Sequence, residues 1–130
     1  MVAAEESGIK LKWKISQQKT WQTKVKEMRP KQLVVGKAFR LYVSVNDCSS
    51  DYDLLAILRA GNQSLQECKF EHSGSLFSIA LNWFHYAICE STVCQALREN
   101  MTLTVGIIKR GADQLIAQVD VLRFLKPSVS

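Results

Sequence analysis

Residues that break regular structure are scarce here: 2 prolines and 6 glycines in 130 residues. That scarcity excludes a collagen-like or proline-rich chain, and no internal repeat or low-complexity segment occurs. Long apolar runs are also missing. The longest, from Leu76 to Ile88, is interrupted by Ser78, Asn82 and His85, well short of the ~20 apolar residues of a membrane-spanning helix. Residues 1–8 carry neither a basic stretch nor an apolar stretch, so they do not read as a signal peptide.

Catalytic motifs are absent as well. The sequence has no GxGxxG, P-loop or HExxH pattern, and only 2 histidines to serve as a general base. His72 falls in a turn-like sequence and reads as a solvated loop residue. His85 follows Trp83 and Phe84 and reads as a half-buried packing residue. Cys89 and Cys94 flank the start of a predicted helix, where the helix dipole lowers a thiol pKa; a structural role is the commoner one there. Neither cysteine lies at zinc-ligand spacing. Asp47, Asp51 and Asp53 gather in one polar loop, but calcium usually takes six or more oxygens and no second acidic loop is present. The sequence therefore predicts no enzyme, no metal and no cofactor.

The four cysteines, Cys48, Cys68, Cys89 and Cys94, permit two disulfides in three connectivities. Without a targeting signal they are expected to be reduced, which fits a cytoplasmic location, with the nucleus as the alternative. The competing reading is a secreted immunoglobulin-like module, with disulfides and with sugar on the sequons at Asn62 and Asn100.

What the chain does have is a period of two. Leu11, Trp13 and Ile15 alternate with Lys10, Lys12 and Lys14. Similar alternation runs through Phe39–Val45, Phe77–Trp83, Leu103–Ile107 and Leu115–Leu122. Each reads as a strand with one face on a core. Leu54–Leu58 is continuously apolar and reads as a strand buried on both faces; Gln66–Phe70 is a weaker strand. Turn chemistry separates them at Asn46–Asp53, Ala60–Gln63, His72–Ser75 and Lys109–Asp113. One helix is predicted over about 92–99, with Thr92 and Gln95 as a capping box. The expected fold is mainly β: an antiparallel β-sandwich of seven or eight strands with one short helix. It occupies residues 9–125 as a single domain, with flexible ends at 1–8 and 126–130. Trp13, Phe39, Leu41, Ile79, Leu81 and Val105 are expected to share its core.

Charge is unevenly placed. The net charge is +5, and ten of the 17 basic residues lie between Lys10 and Arg40, beside a single acid, Glu27. Such a field suits phosphate or acidic partners. Nucleic-acid binding through this face is the second functional reading, weakened because Trp13, alternating with the lysines, should point into the core rather than stack on bases.

From Gly36 onward the chain shows Phe39-x-Leu41, a polar loop with Asp51, Ala56-Ile57 leading to Gly61, and Leu81-x-Trp83. Then comes Ser91-Thr-Val-Cys-Gln95-x-x-x-Glu99-Asn100-x-x-Leu103-x-x-x-Ile107. These scattered pieces resemble the TRAF-like substrate-binding domain of seven-in-absentia-type ubiquitin ligases, where a similar Ser-Ile-x-Gln-x-x-x-Glu-Asn helix precedes the final strands. Trp13-x-Ile15 is similar to the opening strand of MATH domains. The RING and zinc fingers that precede this domain in that family are not among these residues, so the resemblance implies no ligase activity. It implies a peptide-binding sandwich, an adaptor or substrate-recognition domain of the ubiquitin pathway. An extended segment of a partner protein would add beside an early strand by β-augmentation. The candidate edge is 14–25, with Trp21 as aromatic anchor. Lys14, Lys19, Trp21, Thr23, Lys24 and Val25 are the partner-binding residues so implied.

Overall fold

The computed structural model describes residues 2–3, 9–16, 18–28, 40–45, 51–73, 76–81 and 101–124. Ten strands run through them: β1 (Val2–Ala3), β2 (Leu11–Ile15), β3 (Lys26–Met28), β4 (Arg40–Val45), β5 (Tyr52–Ala60), β6 (Gln63–Lys69), β7 (Glu71–Ser73), β8 (Leu76–Ala80), β9 (Met101–Lys109) and β10 (Leu115–Phe124). The fold is mainly β with two sheets, consistent with a sandwich. The larger sheet has the order β1-β10-β9-β5-β6, with β3 also on β10; the smaller is β2-β4-β8-β7. The predicted helix at 92–99 lies outside the described residues, as do Phe39, Trp83, His85, Asp47, Cys48, Cys89 and Cys94.

Alternating apolar side chains from both sheets meet in one core. Trp13, Leu41, Val43, Phe77, Ile79 and Leu81 come from the smaller sheet and its end. Leu54, Leu58, Leu103, Val105, Ile107 and Phe124 come from the larger. Each fully buried side chain of this size contributes about 1.5–3 kcal/mol relative to exposure. Five of the six expected core residues are in this cluster; the sixth, Phe39, is not described.

Within this sandwich two short strands pair in parallel. Val2 and Ala3 pair parallel with Ala117 and Gln118, and β3 pairs parallel with Leu122–Phe124. Both short strands satisfy the backbone of β10, which would otherwise be an open edge. His72 is not a loop residue. It lies in β7 opposite Phe77, and the two rings stack at 4.1 Å between centroids.

Strict alternation fails in β10. Leu122, expected to face outward, is fully buried next to buried Val121. The register against β9 shifts between Asp120 and Leu122, the mark of a bulge, which reverses the facing of every later residue. Phe124 is thereby brought into the core.

The outer face of the larger sheet is also partly covered. Thr104 is fully buried, and its hydroxyl donates to Asp120 Oδ1 at 2.8 Å. Beside it, a Cβ added at Gly106 would lie 2.7 Å from Leu115 Cδ2 and 3.2 Å from Ile57 Cδ1. The glycine lets Leu115 lie across the sheet toward Ile57. Gly106→Val is expected to overpack this face and cost about 1–3 kcal/mol in urea unfolding. An unchanged midpoint would show that the Leu115 contact is not tight.

Both flanks of the sandwich are spanned by chain that switches sheets. At one flank β6 passes through buried Phe70, whose N–H donates to Leu54 O at 3.0 Å, into β7 of the other sheet. At the other, the segment after β2 runs outside the smaller sheet and then joins the larger as β3. The expected turns at Gly61 (φ +60°) and Gly111 (φ +87°) hold left-handed backbone that favours glycine.

Candidate functional site

The second of those flanks carries the predicted partner-binding residues. Alternation in β2 sends Leu11, Trp13 and Ile15 inward and leaves Lys12 exposed and Lys14 half-buried on the outer face. The polar run Ser16–Thr20 then lets the chain turn back. Gln18 N–H donates to Ile15 O at 2.7 Å, and the Gln18 amide oxygen accepts from Ile15 N–H at 3.3 Å. Gln22 forms an antiparallel bridge with Trp13: Trp13 N–H donates to Gln22 O at 2.9 Å, and Gln22 N–H donates to Trp13 O at 2.6 Å.

The fold-back brings Trp21 to the outer face of β2. Its ring centroid lies 5.2 Å from Lys12 Nζ and 5.0 Å from Lys14 Nζ. Trp21 is half-buried and belongs to no part of the core cluster. An ammonium over an indole face is held by the ring quadrupole, worth about 0.5–1 kcal/mol at an exposed site. The indole is therefore pinned to the sheet by two cations while still offering surface. Lys19, Thr23 and Lys24 are exposed around it, and Val25 is one of the two large exposed hydrophobics among the described residues.

The expected strand edge at 14–25 is not open along its length. Trp13 and Ile15 already spend their outward backbone groups on Gln22 and Gln18. Beyond Gln22 the returning chain peels away at Thr23. There a depression of about 320 Å³ opens, lined by Lys10, Leu11, Lys12, Thr23 and Ser44. Ser44 sits opposite Lys12 in β4.

Lys12 is the residue that sequence reasoning left out of the site. The signal that finds it is the polar stretch after Ile15, which allows the chain to double back and lay Trp21 over the lysines of β2. Arg40, the last of the basic run, does not add to the free positive charge. It pairs with Glu71 and donates to Ser78 Oγ at 3.0 Å.

The other candidates stand apart. Asp53 faces two cations, Lys69 at 3.8 Å and Arg110 at 3.9 Å. No cluster of three or more metal-ligating side chains occurs among the described residues. Cys68 is a free thiol on β6; burial and then the nearby Glu71 carboxylate push its pKa up. The raised value holds Cys68 protonated at neutral pH, where the thiolate is the reactive form. Native protein at pH 8 is thus expected to alkylate Cys68 more slowly than denatured protein does. Equal rates, followed by peptide mass mapping, would show that neither burial nor Glu71 protects it. No helix among the described residues is long and apolar enough to cross a membrane.

Against known proteins, the chain matches no protein-family model and no curated protein. The fold and this face define a class: a mainly-β, two-sheet domain with a basic, aromatic outer face on its smaller sheet.

Proposed function

We propose that this domain is a non-catalytic binding module that holds an acidic segment of a partner protein against Trp21, Lys12 and Lys14. The observation that carries this reading is the placement of a half-exposed indole between two lysines on a strand face, within the most basic part of the chain. Aromatic side chains held rigid at a surface lose little entropy on contact and are enriched among binding hot spots. The surrounding positive field speeds encounter with an acidic partner and disfavours a basic one. The resemblance to TRAF-like substrate-binding domains supports the same class of function: an adaptor or substrate-recognition domain of the ubiquitin pathway, acting in the cytoplasm.

The same face has the elements of a single-strand nucleic-acid platform, an aromatic for stacking beside cations for phosphate. Trp21 supplies the aromatic that Trp13, buried in the core, does not. The protein reading is preferred because the resemblance is to a peptide-binding sandwich, whereas a basic surface by itself gives phosphate affinity without selecting a partner.

Titration of the whole chain with a fluorescent glutamate-containing peptide, its glutamine counterpart and an oligothymidylate separates the two. Preference for the glutamate peptide is the expected result. It should weaken as salt shortens the screening length from about 10 Å at 0.1 M to about 3 Å at 1 M. Preference for the oligonucleotide, or no discrimination between the peptides, would overturn the protein reading.

A further inference from the structure

The register of the fold-back leaves one rung unfilled by any described residue. Trp13 is opposite Gln22 in an antiparallel bridge, so continuing that pairing would set Lys24 opposite Leu11 and supply the next rung. The chain does not continue it. It leaves the strand after Gln22 and by Lys26 is paired with Leu122 in the other sheet. The depression lined by Lys10, Leu11, Lys12, Thr23 and Ser44 includes Leu11 and Thr23, which border that missing rung.

Alternation fixes what faces this opening. Trp13 turns its N–H and C=O toward Gln22 and away from β4, so Leu11, two residues earlier, presents its own backbone groups on the same side. No described residue bonds Leu11 there in the way that Gln22 bonds Trp13 and Gln18 bonds Ile15. The place therefore combines a backbone rung, a recess and the side chains of two lysines, with Trp21 adjoining through Lys12.

We infer that this wedge is where an extended acidic segment of a partner protein docks. One residue of the segment completes the rung on Leu11 in place of Lys24. A neighbouring glutamate enters the recess, its methylenes against the lysine stems and Leu11 and its carboxylate toward Lys12 and the hydroxyls of Thr23 and Ser44. The segment then runs on over Trp21. Charge complementarity selects this occupant: the described residues that line the recess include two lysines and no acid. Its volume is at the low end for ligand sites and suits side chains of a peptide.

This inference rests on the proposed acidic-segment function but is narrower, because it fixes one rung and one recess. The test uses the whole chain labelled with nitrogen-15 and a five-residue Val-Glu-Val-Glu-Val peptide, with the glutamine version as control. Binding of the glutamate peptide is expected to slow hydrogen exchange at the Leu11 amide and to leave the Trp13 amide unchanged. Ser44→Phe, which fills the recess from the β4 side, and Lys12→Glu are each expected to weaken the peptide by about tenfold or more, the scale of a 1.4 kcal/mol contact. Unchanged protection at the Leu11 amide overturns the wedge whatever the variants do, so a poorly folded variant does not spare it. If Trp21→Ala weakens the peptide while Ser44→Phe, shown folded by its amide spectrum, does not, the wedge is wrong and the acidic-segment function stands. If the peptide does not bind the wild-type chain at all, both fail.

Discussion

Trp13→Ala will destabilise the domain by about 3–5 kcal/mol, the range for emptying a large aromatic site. Trp13 is 2% exposed and belongs to the single core cluster shared by both sheets. Its backbone bonds to Gln22 survive the substitution, so the loss comes from the side chain. The buried indole N–H has no hydrogen-bond partner among the described residues. Trp13→Phe, which removes that donor and keeps an aromatic ring, is accordingly expected to cost much less than Trp13→Ala. Urea unfolding of the three proteins measures both differences. Equal losses for phenylalanine and alanine would mean that the indole's particular shape, and not buried aromatic volume, holds the site together.

Trp21→Ala is expected to do the opposite. Stability should move by less than about 1 kcal/mol, as for surface changes. Partner affinity should fall by about thirtyfold or more, the effect of losing a hot spot of 2 kcal/mol. The contrast follows from placement: Trp13 is inside the sandwich, and Trp21 lies half-buried on its outer face over Lys12 and Lys14. Paired thermal melts and peptide titrations decide the matter. A variant that is destabilised yet binds normally whenever folded would remove Trp21 from the site. A Lys12→Ala, Lys14→Ala double variant should also loosen the indole. A loss of Trp21 fluorescence polarisation, relative to a Trp21→Phe reference, would report it.

Much of this architecture is written locally. In β2, β4 and β8 the observed burial follows the apolar–polar alternation residue by residue, because a strand with one face on a core needs only a period of two. Leu54–Leu58 reads as a strand covered on both sides, and Ile57 on its outer face is indeed buried. The hairpin at Gly61 and the turn at Gly111 are legible because positive φ selects glycine. β10 is legible only in part. Nothing in Leu115–Phe124 announces the bulge at Val121, since its cause is the pairing offset against β9. β1 and β3 are not legible in the sequence for the same kind of reason. They are two and three residues long and exist through parallel pairing with β10, a partner nearly the whole chain away.

The candidate site divides along the same line. By itself the sequence determined that ten basic residues crowd between Lys10 and Arg40, that Lys12 and Lys14 share the outward face of a strand, and that Trp21 lies in polar company. Composition and a two-residue period suffice for that. Only the tertiary structure decided that Gln22 returns to Trp13, that Trp21 thereby settles over Lys12 and Lys14, and that the chain leaves at Thr23 to open a recess beside Leu11. It also decided that Arg40 is matched by Glu71 and so lost to the basic face. Those outcomes depend on where the chain turns and which sheet next accepts it. That choice is fixed by hydrogen-bonding partners on other strands, β10 above all, and not by any property of residues 10–25 alone.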